Sequence, residues 1–134
     1  MIDWLKYGYF KEYEFKCSHS GKADVKVELL DKLTEVRTML NKPMVITSGF
    51  RDITHPIEAA KIEAGRPRGV HTMGIAVDVA CNGQLCYEMI RYATMVGFTG
   101  IGVSQSGNSR FLHLDLHRFL RQNSRRSLAL TQTP

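Results

Sequence analysis

The sequence predicts an α+β domain, a mainly antiparallel sheet with helices packed on it. Strand-like and helical stretches follow one another without strict alternation, and the last two strand-like runs, TGIGVS and RFLHLDLH, close like a hairpin. The 134 residues suit a single domain. A chain of this size buries roughly two thirds of its unfolded surface, so any metal it binds is expected to serve function before folding.

The first helix is read from Leu29, Leu33, Val36 and Leu40, which recur at helical spacing until Asn41 and Pro43 close it. PMVITS follows as a short run with β-branched residues and is expected to be a buried strand that delivers GFRD at its end. Thr54 is the expected N-cap of a second helix, with Pro56 in its first turn and Gly65 at its exit. GIAVDVA alternates, placing Ile75, Val77 and Val79 on one face and Ala76, Asp78 and Ala80 on the other. A third helix over LCYEMIRYATMVG ends on Gly97 as its C-cap glycine. Residues 1–119 read as one unit and residues 120–134 as a basic, flexible tail.

Composition narrows the function classes. At 43% hydrophobic and 23% charged the chain is an ordinary globular one, and no window approaches the ~20 apolar residues of a membrane span. The opening MIDWLKYGYFKEYEF lacks the apolar stretch of a secretory signal, so the protein is expected to be made in the cytoplasm and exported, if at all, by another route. The net charge of +5 suits an anionic partner, but much of it sits in the last stretch of the chain as Arg118, Arg121, Arg125 and Arg126. No basic helix or RNA-binding aromatic motif accompanies it, so no specific nucleic-acid partner is expected. Cys17, Cys81 and Cys86 form neither a disulfide framework nor a zinc knuckle, although a Cys81–Cys86 bridge stays open. A monomer is expected.

The residues that carry chemistry are concentrated. His71 and Asp78 lie at the entrance and middle of one strand, and His113, Asp115 and His117 alternate along the last one, so all three share a face. Two strands thus offer five possible ligands of the type that binds zinc. HLDLH also fits a plain amphipathic edge strand. Asp78, alone among apolar neighbours, favours a cation, because a buried carboxylate needs a partner.

HTMGIAVDV resembles the HxxGxAxD signature of the zinc D-alanyl-D-alanine carboxypeptidases and L-alanyl-D-glutamate endopeptidases that cut peptidoglycan peptides. ITSGFRD resembles the SGYR-type segment upstream of that signature, and FLHLDL the FVHVD-type strand in the small, phage- and prophage-associated branch. The resemblance runs from about Phe10 to Leu116. It implies a Zn2+ ion bound by His71, Asp78 and His113, in the fold shared with the hedgehog signalling domain and the vancomycin-resistance dipeptidases. It also implies that Arg51 steadies the substrate or the polarised carbonyl, unless Arg51 is only paired with Asp52 or Glu58. Gly74 and Ala76 would keep the ligand strand slim enough for substrate to approach.

One position departs from the family pattern. Many members place Asp or Glu three residues before the last zinc histidine, where this chain has Arg110, which cannot act as a general base. Asp115 is the expected replacement, either as base or as a group that orients a ligand by hydrogen bonding, with His117 as a further acid or base. Ser48 and Thr72 are candidate hydrogen-bond donors to substrate, His55 is expected to be structural, and a second zinc near His19 in CSHSG is not expected. The function implied is a zinc peptidase acting on peptidoglycan stem peptides at the bacterial wall or periplasm, in phage lysis or aboard a virion. The alternative is an inactive wall-binding or virion structural module that keeps the zinc fold.

Overall fold

The computed structural model describes residues 1–117 and 129–132. Its elements are helix α1 (Val27–Leu40), strand β1 (Val45–Ser48), helix α2 (Pro56–Glu63), strand β2 (Ala76–Ala80), helix α3 (Gly83–Val96) and strands β3 (Gly100–Ser104), β4 (Phe111–Asp115) and β5 (Ala129–Gln132). The sheet order is β1-β2-β4-β3-β5. The first four strands pair antiparallel, and β5 runs parallel to β3. This is the expected α+β architecture.

Alternation divides the sheet into two faces with different chemistry. Val77 and Val79 of β2, Leu112 and Leu114 of β4 and Ile101 of β3 are buried on one side. They share a single core with Leu29, Leu30, Leu33 and Val36 of α1 and with Met89 and Ala93 of α3. The opposite face carries Asp78, His113, Asp115 and Gly100, because Asp78 pairs with His113 and Asp115 with Gly100. Asn41, at φ 53°, closes α1, and Gly97, at φ 103°, closes α3, as their sequences require.

Two local expectations are corrected. β1 is an edge strand with Val45 57% exposed, not a buried one, since it pairs only with β2 among the described residues. The cap of α2 is His55, whose Nδ1 accepts from the Ile57 N–H, while the Thr54 hydroxyl is taken by Asp52. Gly74 is left-handed at φ 72°, and a Cβ there would collide with Asp24 O and Val25 Cα, so close packing of the backbone already requires a glycine. His55 is therefore structural, as anticipated.

Most of the stretch expected to be a flexible tail, together with Arg118, Arg121, Arg125 and Arg126, lies outside the described residues. Within it, Ala129–Gln132 pair as β5. The three cysteines are buried and unbridged. No helix among the described residues is long and apolar enough to cross a membrane.

Candidate metal centre

Register assembles the centre. Asp78 and His113 are directly opposite each other across β2 and β4, a pairing that brings side chains on one face within contact range. His71 arrives from outside the sheet, on a 3-10 turn, Val70–Met73, that leads through left-handed Gly74 into β2. A bulge between Ile46 and Ser48 shifts the pairing of β1 so that Ser48, not Thr47, stands opposite Asp78. Ser48 thus shares the site face with Asp78 and His113.

His71, Asp78 and His113 each place a ligand atom within 4.8 Å of the other two. His71 Nδ1 is hydrogen-bonded to Gly49 O at 2.8 Å, which leaves Nε2 facing Asp78 Oδ1 at 3.4 Å. His113 Nδ1 lies 3.1 Å from the same oxygen. Tetrahedral zinc with bonds of ~2.0–2.1 Å separates its ligands by roughly 3.4 Å, so these separations fit such an ion. Two imidazoles and one carboxylate are also a suitable donor set. The ring nitrogen facing away from the site is braced in each case, His71 Nδ1 by Gly49 O and His113 Nε2 by Asp115.

Charge in the cluster is strongly coupled. Burial pushes the Asp78 carboxyl up, but hydrogen bonds and positive charge from His113 and His71 outweigh it and hold the group far below the usual carboxylate range. Burial likewise disfavours the charged His113 ring, yet Asp115 and Asp78 on its two nitrogens raise it to about 9. Asp115 is held below its ordinary value, because the His113 ring and the His117 N–H overcome its burial. His113 therefore carries a proton at neutral pH whenever no metal takes that place.

Asp115 has both oxygens engaged. Oδ2 lies 2.7 Å from His113 Nε2, and Oδ1 accepts the His117 N–H at 2.9 Å. The carboxylate lies over Gly100, where a Cβ would come within 2.5 Å of both oxygens. His117 falls just beyond β4 and is partly exposed. Arg110 is exposed and donates through Nε to Gly107 O at 2.9 Å. The guanidinium of Arg51 reaches Glu58 at 3.2 Å, and its backbone N–H donates to His71 O. Asp52, the other suggested partner of Arg51, caps its own turn through Ile53 N and Thr54. Thr72 is buried and gives its hydroxyl proton to Gly69 O at 2.6 Å. His19 is exposed, with its ring 6.1 Å from that of His55.

Two contributors escaped sequence reasoning, the Gly49 carbonyl and Gly100, and a third, Glu58, was foreseen only as a possible partner of Arg51 and not as a buried one. A backbone carbonyl leaves no trace in a sequence. The small residue at 100 within TGIGVS was the available signal for a side chain crossing from the next strand. Glu58 stands three residues after the cap of α2, where an acid reads as an ordinary companion of the helix dipole.

A search of curated proteins finds no match for this chain. The family profile described as peptidase M15 matches residues 8–115, a span that begins before the first helix and ends on Asp115. With that span and a His71, Asp78, His113 group able to hold a metal ion, the chain belongs to the peptidase M15 family.

Proposed function

We propose that the protein is a zinc-dependent peptidase that hydrolyses the stem peptides of bacterial peptidoglycan, as a D,D-carboxypeptidase or an endopeptidase. The observation that carries this reading is the convergence of His71, Asp78 and His113 within 4.8 Å in a member of a peptidase family. Zinc bound there supplies a Lewis acid and a nucleophile usable at neutral pH. His71 and His113 present neutral imidazoles once their remaining ring N–H groups are donated to Gly49 O and Asp115. Asp78 adds one negative charge. Arg51, three residues beyond β1, offers its remaining guanidinium donors to a carboxylate or developing oxyanion of the substrate.

Of the two roles open to Asp115, the hydrogen bonds favour orienting His113 over taking a proton, since both oxygens already have partners. Ser48, facing the site, is the candidate hydroxyl for substrate. Thr72 spends its proton on the turn that carries His71. The setting we infer is phage or prophage lysis of the wall, with the protein acting outside the cytoplasm after release or within a virion.

Arg110 and the engaged Asp115 favour a second reading, a zinc-retaining wall-binding or virion structural module without turnover. Purified peptidoglycan incubated with zinc-loaded protein separates the two. Mass spectrometry is expected to find D-alanine or shortened stem peptides; a zinc-loaded sample that binds walls but releases no fragment contradicts the peptidase reading.

A further inference from the structure

Helix α2 buries an unusual residue. Surface helices normally dock by an apolar stripe, yet Ile57 is 49% and Ile62 52% exposed. Of its eight described residues only Glu58 is buried, at 0% exposure. A charge persists in such a place only when it is paired and hydrogen-bonded. Arg51 Nη1 and Lys61 Nζ each lie 3.2 Å from Glu58 Oε2, and the Gly69 N–H donates to Oε1 at 2.8 Å.

Two of those donors belong to the segments that build the metal centre. Arg51 follows β1, and its backbone N–H donates to His71 O at 3.2 Å. Gly69 is the N-cap of the 3-10 turn that carries His71. One carboxylate thus ties together α2, the arginine whose backbone bonds the His71 turn and the approach to a metal ligand. The Arg51 side chain stays 19% exposed, so Glu58 fixes one nitrogen while other donors of the fork remain available. An arginine restrained before substrate arrives loses less rotamer freedom on binding.

We propose that Glu58 is a positioning residue, which holds the Arg51 guanidinium and the loop entering His71 in the arrangement that meets substrate. The role toward substrate rests on the peptidase reading above; the anchoring of Arg51 does not.

The test compares zinc-loaded full-length wild type, Glu58→Gln, Arg51→Ala and the double variant, with zinc content and circular dichroism as controls. One readout is the Arg51 Nε–H NMR signal, identified by its loss in Arg51→Ala. It is expected to be sharp and slowly exchanging in wild type, and averaged with the other arginines in Glu58→Gln at unchanged zinc content. The other readout is kcat/KM on a soluble stem peptide, which is expected to fall roughly ten- to a hundredfold in Glu58→Gln. Adding Glu58→Gln to Arg51→Ala should then cost less than about twofold more, because residues acting as a unit are not additive. An unchanged Arg51 signal in Glu58→Gln, or losses that multiply independently, overturns the proposal. If wild type cleaves no stem peptide, the peptidase reading fails and the Arg51 signal alone decides the anchoring. Should Glu58→Gln not fold, Glu58→Gln/Lys61→Met removes the cation left unmatched, and the same Arg51 signal is read there.

Discussion

His113 Nε2 lies 2.7 Å from Asp115 Oδ2, two residues further along the same strand. The contact turns the other ring nitrogen, Nδ1, toward Asp78 and fixes which nitrogen is offered to a metal. Asp115→Asn is therefore expected to lower zinc affinity by about 10- to 100-fold while leaving the fold intact. Competition with a chromophoric chelator measures it. Gly100→Ala should reproduce the effect, because its Cβ would displace the same carboxylate; wild-type affinity in both variants contradicts the assigned role.

The ligands and Arg51 should separate cleanly. His71→Ala or Asp78→Ala is expected to abolish stoichiometric zinc, whereas Arg51→Ala, whose guanidinium pairs with Glu58, should keep it. Metal analysis of dialysed samples decides, and full zinc in either ligand variant refutes that assignment.

Zinc binding should release a proton. His113 is raised to about 9 in the metal-free protein, so near pH 7 the metal displaces the ring proton. Calorimetry in buffers of different ionisation enthalpy should report about one proton released. The same shift gives stability a sign. The His113 contribution is fully present below the unfolded value of ~6.5 and is lost as pH rises through about 9. Melting of chelator-treated protein should thus fall across that window, and melting of zinc-loaded protein should not follow it.

Glu58 sets an acid limb of the opposite sense. Burial raises its carboxyl, but the Gly69 N–H, Arg51 and Lys61 bring it below its ordinary value. Its contribution is present above the unfolded value of ~4.3 and is lost as pH falls through the depressed folded value. Glu58→Gln should be less stable than wild type near neutrality and flatter below pH ~4, as read by denaturant melts at several pH values.

The site was more legible than its surroundings. Asp78 stood alone in an apolar alternation that set it on the face away from Val77 and Val79, and the same period of two set His113 and Asp115 on one face of their own strand; the register that joins the two sets is seen only in the structure. The HTMGIAVDV and FLHLDL segments then fitted the family pattern that the match over residues 8–115 supports. The edge position of β1 was hidden, because a β-branched run reads the same in the middle of a sheet as at its rim. The cap of α2 was misread because Thr54 and His55 are adjacent candidates, and only the contact with Asp52 shows which is occupied elsewhere. Glu58 was named as a possible partner of Arg51, but its burial and its bonds to Lys61 and the Gly69 N–H were hidden, because a sequence records that an acid is near a helix start and not what folds back onto it.

The most direct test of the central claim is a zinc titration of chelator-stripped protein, followed by mass spectrometry of fragments released from peptidoglycan. The account predicts no release without metal, a rise that breaks at one zinc per chain, and no recovery in Asp78→Ala. Fragment release that ignores the chelator, or a chain that takes up its zinc and releases nothing, would contradict it.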